Sequence, residues 1–315
     1  MNICITGALG HIGSELIRNL SIPSLKKVHL VDNFLTQRYS TLFNLPDKPR
    51  FIFHETDILA EEMNNIIKDS NVVVHLAAIT DAESSVQKRD LVENVNKKGF
   101  KHVADLSSQY NCPFIFPSTT SVYGSQSEFV DETCKDLQPQ SPYAESKIWA
   151  ERYLHSLGQK GKLKYAIFRL GTIFGYSIGM RFHTAVNKFI FQAATGKEIT
   201  VWKTAYNQKR PYCDLNDAIA AVNYSIKNSV FDNEVYNIIT VNSTVKGILD
   251  AVKEYVPHLQ IKFVESKIMN QLSYEVDNSK SIRRGFSYKG NLKKSIGKTV
   301  KALQNINCDV KKKNL

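Results

Sequence analysis

The chain has few cysteines, and their arrangement builds nothing. Cys4, Cys112, Cys134, Cys213 and Cys308 are odd in number, scattered and never at Cys-x-x-Cys spacing. That pattern suits neither a disulfide framework nor a zinc site. They read as reduced thiols in a cytosol, and no metal is expected. Long apolar runs are also missing: no stretch reaches the roughly 18 to 20 residues that cross a bilayer. The opening Asn2-Ile3-Cys4-Ile5-Thr6-Gly7 carries no basic segment, apolar run and cleavage site, so a cytoplasmic protein with no secretory signal and no membrane partner is expected. The formal net charge is +11, yet the lysines are spread along the chain and not gathered into a stripe interleaved with aromatics, which argues against a nucleic-acid partner. The one dense run, Lys311-Lys312-Lys313, reads as a solvated tail; its functional alternative is a basic surface that draws in anionic nucleotides. Internal repeats, low-complexity tracts and long Pro/Gly/Ser linkers are absent too.

What is present is the composition of an ordinary globular protein, 43% hydrophobic and 23% charged over 315 residues. Up to about residue 170, short runs rich in Val, Ile and Phe alternate with stretches of helical periodicity. Strands are predicted over 2–6, 28–32, 51–54, 72–76, 114–118 and 165–170, and helices over 91–110 and 143–158. Repeated β-α units with right-handed crossovers imply an α/β fold, a Rossmann-type doubly wound parallel sheet. After residue 170 the alternation lapses: 171–181 is turn-rich, 182–195 reads as a helix, and shorter elements follow. The expected division is a dinucleotide-binding domain at 1–170, with 208–240 returning to it, and a smaller C-terminal α/β substrate-binding lobe at 171–207 and 241–315.

The strongest local signal is Gly7-x-x-Gly10-x-x-Gly13, following the first strand and opening a helix that includes His11 and Ile12. Gly7 suits the tight turn, Gly10 lets backbone approach a pyrophosphate, and Gly13 allows close helix–sheet packing, with the helix N-terminus offering amides and positive dipole. Asp32 ends the second strand 19 residues after Gly13, placed to accept from the adenosine ribose hydroxyls. A carboxylate there favours NAD over NADP, although nearby Arg38 keeps the second open. Asp57-Ile58 after the third strand can cap and sandwich an adenine, and the small pair Ala77-Ala78 after the fourth leaves room for a cofactor backbone. An Asp after a strand is also an ordinary helix cap.

Tyr143-x-x-x-Lys147, the chain's single YxxxK, puts a phenol and an ammonium on one helix face behind Pro142. It follows a strand that ends in Ser118-Thr119. Removing a hydroxyl proton as carbon gives up hydride needs a base near neutral pH, about three units below a free tyrosine. Adjacent Lys147, with the cationic oxidised nicotinamide, is expected to supply the roughly 4 kcal/mol of phenolate stabilisation. Thr119 would orient the reacting oxygen.

With these residues in hand, the chain resembles the extended short-chain dehydrogenase/reductase family and its nucleotide-sugar epimerase/dehydratase branch. The ordered marks are Thr6-Gly7-x-x-Gly10-x-x-Gly13, Asp32-Asn33, Asp57-Ile58, His75-Leu76-Ala77-Ala78, Asn96-x-x-Gly99, Ser118 through Gly124, Tyr143-x-x-x-Lys147 and Arg169-x-x-x-x-Phe174-Gly175. The resemblance implies Thr119, Tyr143 and Lys147 as catalytic residues, bound NAD as cofactor (with Asn33, Leu76 and Asn96 among its contacts) and a nucleoside-diphosphate sugar as substrate. It also implies substrate contacts at Thr80, Thr119, Thr120, Thr172, Arg181, Asn187 and Arg210. Read without it, Asn187 is a solvated helix position and Arg210 a surface charge. The branch's 4,6-dehydratases carry an Asp-Glu pair where this chain has Thr120-Ser121, and its uronate decarboxylases a glutamate at the position of Ser121. Both reactions are therefore disfavoured, Arg181 as a carboxylate ligand notwithstanding, and the neutral stretch is similar to that of 4-epimerases. A ketosugar reductase or dehydrogenase using NAD(P) is the alternative, and a silent dinucleotide-binding protein a more distant one. Departures at Thr172, Tyr176 and Gln271 leave base and sugar open. By analogy, a homodimer through the helices at 91–110 and 143–158 is expected.

Overall fold

The computed structural model describes residues 1–124, 129–265, 273–303 and 306; Cys308, Gln271 and the terminal lysine run lie outside them. Strands β1 (Asn2–Thr6), β2 (Lys27–Asp32), β3 (Arg50–Glu55), β4 (Val72–His75) and β5 (Phe114–Thr119) alternate with helices α1 (His11–Arg18), α2 (Glu62–Lys68), α3 (Arg89–Val92) and α4 (Phe100–Gln109). After β6 (Phe129–Val130) come α5 (Pro142–Gln159), β7 (Tyr165–Leu170), β8 (Thr172–Phe174), α6 (Ala185–Ala194), β9 (Ile199–Trp202), β10 (Lys209–Asp214), α7 (Leu215–Lys227) and β11 (Glu234–Ile238). The chain continues with β12 (Val241–Thr244), α8 (Val245–Lys253), β13 (Ile261–Val264), β14 (Glu275–Val276), α9 (Ser279–Arg284) and α10 (Leu292–Ala302).

Seven strands form one sheet in the order β11-β7-β5-β4-β1-β2-β3, every neighbouring pair parallel. The order reverses between β1 and β4, the switch point at which open α/β sheets bind ligands beyond their strand carboxyl ends. Because the sheet is covered on both faces, its inner strands read as near-continuous apolar runs whose side chains sort by parity. Ile3, Ile5, Val28, Leu30, Ile115 and Phe168 point into a core shared with α1 and α7; Cys4, Val31, Val73, Phe114, Phe116 and Ile167 point into one shared with α2, α4 and α5. A third core, including Phe174, Ile190, Tyr212, Ile248 and Ile296, sits under the smaller sheet β12-β10-β8. β11 thus joins the large sheet and α7 packs into its core, while β10, inside the 208–240 segment expected to return there, pairs in the small one.

The helix expected at 91–110 is a composite. A π-turn at Glu93–Gly99 joins α3 to α4, and such turns are frequent at functional sites. α5 starts where Ser141 accepts from the Ala144 amide at 3.2 Å, with Pro142 in its first turn.

Candidate active site

The glycine turn lies at the switch point. Gly7 sits at φ +64°, and a Cβ there would come within 2.5 Å of the Ala77 nitrogen; one at Gly13 would meet the Ala8 carbonyl at 2.4 Å. Both positions exclude a side chain. Gly10 is the N-cap of α1 and offers no side-chain cap to the first-turn amides, which leaves a cradle suited to an anion. Asp32 braces this turn, accepting from the Leu9 amide at 3.1 Å and the Phe34 amide at 3.0 Å. Burial raises its pKa, and those bonds and Arg38 pull it back down. Asn33 donates to Asp57 at 2.8 Å, and Asp57 also accepts from Leu59. Ile58 is buried against Gly99, where a Cβ would strike its side chain at 2.5 Å. Leu76 and Ala77 donate to the carbonyl and hydroxyl of Thr6 at 2.9 and 3.3 Å, with half-buried Ala78 following. Asn96, in the π-turn, clamps both backbone atoms of Ile79 and donates to the Ser146 hydroxyl at 3.0 Å, one residue from Lys147.

Thr119, Tyr143 and Lys147 converge at the carboxyl end of β5. The Thr119 side chain acts on the Tyr143 phenol; its hydroxyl donates to the Ser121 hydroxyl at 3.2 Å and accepts from the Ser121 amide at 3.1 Å. The Lys147 ammonium donates to the Pro117 carbonyl at 2.8 Å and lies 5.9 Å from the centre of the Tyr143 ring. Burial dominates the electrostatics of the pair. Burial pushes the Tyr143 phenol up to about 12, against the pull of Thr119 and Arg181. Burial also pushes Lys147 down to about 7, against the attraction of Glu151. Desolvation disfavours both charges, so Lys147 alone does not bring the phenol toward neutrality.

The remaining expected residues are spread around this centre. Thr80 follows β4, its hydroxyl buried with no hydrogen-bond partner. Thr120 is buried and its carbonyl accepts from Tyr274 at 3.3 Å; half-buried Thr172 opens β8 opposite Tyr212. Arg210, on β10, lies with its guanidinium 5.2 Å from the centre of the Tyr274 ring, a tie to the catalytic strand's loop in place of a free surface charge. Asn187 is not solvated. It is fully buried near the start of α6, accepting from the Gly175 amide at 3.4 Å and donating to the Arg181 carbonyl at 3.2 Å. The Arg181 guanidinium feels Tyr143, Asp81 and Arg38, and burial lowers its pKa.

Three features escaped sequence reasoning. Asp81 and His183 flank Arg181, and burial and two arginines push the imidazole down to about 4. Residues 175–179 are laced onto the glycine turn. Neutral His11, driven to about 4 chiefly by burial, donates to the Gly175 carbonyl at 2.8 Å; Ser177 donates to the His11 carbonyl at 3.0 Å, and Gly179 to Ser14 at 3.1 Å. Finally, buried Glu151 and Arg169 form a two-toothed ion pair at 2.6 to 3.2 Å beneath the site. Its signal was Glu151 standing four residues beyond Lys147.

The cysteines described, Cys4, Cys112, Cys134 and Cys213, are free. Among the described residues no helix is long and apolar enough to cross a membrane, and no group of His, Cys, Asp and Glu could hold a metal.

Comparison with known proteins follows the same lines. The model of the NAD dependent epimerase/dehydratase family matches residues 3–238. An uncharacterized UDP-glucose epimerase of Bacillus subtilis is 26% identical over 247 residues, 76% of each chain. The solved UDP-glucose 4-epimerase of Thermotoga maritima with UDP-glucose superposes at a TM-score of 0.85, 26% identical, covering 96% of this chain and 98% of that one. A UDP-glucuronic acid 4-epimerase of Bacillus cereus, 24% identical, shares the fold at 0.86 over 96% and 99%.

Proposed function

Because the chain belongs to the NAD-dependent epimerase/dehydratase family, we propose that it is a nucleoside-diphosphate-sugar 4-epimerase with Tyr143 as its acid–base residue. The observation that carries this is the meeting of Thr119, Tyr143 and Lys147 at the carboxyl end of β5, beside a turn whose glycines leave no room for side chains. Those residues fit NAD: the uncapped start of α1 (Gly10, His11, Ile12) suits the pyrophosphate, Asp32 the ribose, and Asp57 and Ile58 the adenine side. When bound, NAD supplies a reversible hydride acceptor. The protein's part is to move one proton. Thr119 orients the sugar's 4-hydroxyl, Tyr143 takes its proton and later returns it, and the Lys147 ammonium stabilises the phenolate between those events. Thr120-Ser121 offers no carboxylic acid to expel water from the sugar. The Thermotoga relative's UDP-glucose supports a nucleotide sugar as substrate, with Thr80, Thr172, Arg181, Asn187 and Arg210 around it. We assign 171–207 and 241–315 to the substrate lobe, and read the protein as cytoplasmic and dimeric.

A second reading, a reductase or dehydrogenase, draws on Arg38, whose guanidinium lies 3.8 Å from the place of a Gly10 Cβ and near Asp32, within reach of a 2′-phosphate. One experiment separates the two. The protein is purified without cofactor and denatured, any released dinucleotide is identified, and the native protein is incubated with a panel of nucleotide sugars. Stoichiometric NAD and interconversion of two 4-epimers are expected; an empty site with cofactor consumed mole for mole would replace the epimerase by the reductase.

A further inference from the structure

α5 holds the end of β5 residue by residue. Tyr143 faces Thr119, Lys147 donates to the Pro117 carbonyl at 2.8 Å, and Glu151 accepts from the Ser118 hydroxyl at 2.5 Å. Three side chains at i, i+4 and i+8 thus reach three consecutive strand residues. The first two contacts belong to the catalytic reading; the third has no part in it. Glu151 is 7% exposed, and its oxygens take both teeth of Arg169, itself 5% exposed. The guanidinium in turn lies 4.9 Å from the centre of the buried Tyr123 ring, whose hydroxyl donates to Asn237 at 2.8 Å. A buried ion pair is a poor device for stability, since apolar residues of like volume usually serve as well. Its placement therefore asks for another reason.

We propose that Glu151 is a positioning residue: clamped by Arg169, it fixes Ser118 beside Thr119 and keeps a negative charge one helical turn from the Lys147 ammonium. This rests on the reading of Tyr143 and Lys147 as the acid–base pair. The groups facing Lys147 leave Glu151 as its source of negative charge. From β4 comes His75, held neutral by burial; from β5 the Phe116 ring and the Pro117 carbonyl; from α5 the neutral phenol of Tyr143. Arg181 acts on Tyr143, and Arg169 is paired with Glu151 at 2.6 Å. Without the carboxylate, a buried amine beside Phe116 sheds its proton more readily, and the phenolate loses its counter-ion.

The test is the titration of Lys147 by carbon-13 NMR on lysine-labelled full-length protein. Driven to about 7, its signal stands apart from solvated lysines near 10.5, and loss of the signal in Lys147→Met assigns it. In Glu151→Gln, which keeps an acceptor for Ser118 but no charge, the Lys147 midpoint is expected to fall by about one pH unit. kcat at pH 7.5 should drop on the order of tenfold with KM within about twofold. Because Glu151→Gln strands the Arg169 charge, Glu151→Gln/Arg169→Met is measured beside it; it decides the question if the single variant does not fold, and should retain a downward shift. A wild-type Lys147 midpoint in the folded variants would reduce the pair to a brace and overturn the proposal. A wild-type protein inert toward every nucleotide sugar would instead count against the epimerase reading, with the NMR titration still deciding the role of Glu151.

Discussion

Replacing Gly179 by alanine probes the seam between the glycine turn and the strap that crosses it. A Cβ at this position would stand 2.5 Å from the Leu9 carbonyl, 2.8 Å from that of Gly10 and 2.8 Å from the Ser14 hydroxyl, where ordinary contact begins at 3.4 Å. Something must yield by about 0.9 Å. Ser14 is pinned by Ser177 and the His11 carbonyl. On the turn's side, the Leu9 carbonyl already accepts from Thr41 at 3.1 Å and its amide donates to Asp32. Inserting a methyl into such a seam costs about 1 to 3 kcal/mol. Because the crowded atoms are the Leu9 and Gly10 carbonyls, the strain falls on the peptides that present the anion-binding amides. NAD affinity of the stripped protein should weaken by about 5- to 150-fold, read by isothermal calorimetry, with a lower urea midpoint. Ser177→Ala, which removes hydrogen bonds without adding bulk, should lose less. If Gly179→Ala bound NAD within twofold of wild type while being destabilised, the strap and not the turn would have moved, and the reasoning would fail.

Tyr143→Phe should abolish epimerisation while leaving the urea midpoint and NAD stoichiometry near wild type; full activity would remove the catalytic assignment. Acid stability should depend on His75, which burial and Lys147 drive to about 3. The unfolded chain takes up this proton near 6.5 and the folded one does not, so His75 subtracts about 1.4 kcal/mol per pH unit as pH falls below 6.5 toward 3. Urea titrations of His75→Gln should show a shallower loss between pH 6.5 and 5, and equal slopes would contradict the buried neutral imidazole. Lys147 works at the other end. Its folded-state value of about 7 lies below that of the unfolded chain, so its contribution to stability rises between pH 7 and about 10. Lys147→Met should flatten that rise, as differential melts would register. Light scattering is expected to return twice the monomer mass, and a clean monomer would remove the dimer.

The large sheet was legible because its strands are buried on both faces and written as apolar runs between glycine and polar turns; 2–6 and 165–170 were read at their observed ends. The π-turn around Asn96 was not, since a seven-residue widening inside an otherwise helical stretch has no residue signature of its own. The trio and the glycine turn were legible because their spacing reflects local geometry, one helix face and one strand–helix corner. Asn187 misled because periodicity finds the helix without knowing that the strap folds back over its first turn. Ser14, Ser177 and Gly179 share no pattern, being more than 160 residues apart in part and joined only by tertiary contact. Arg169 was legible as a motif residue in a predicted strand, but its pairing with Glu151 was not, because only the packing of α5 over β5 and β7 brings the two together.

The inverted ionisation of Tyr143 and Lys147 also lies beyond spacing, and it has a consequence for how the site works. The Lys147 ammonium and the cationic oxidised nicotinamide were together expected to lower the phenol. Folding buries both, and desolvation opposes each charge separately, so the protein alone favours phenol and an ammonium easily lost. A site in this state is a poor base, and positive charge is what it lacks. Arg181 pulls the phenol down, and a dinucleotide whose pyrophosphate sits at the glycine turn would add the positive charge of its oxidised ring. Without such a charge, the chain's own residues hold Tyr143 as the phenol. Burial of both groups is thus what makes an added positive charge matter at this site.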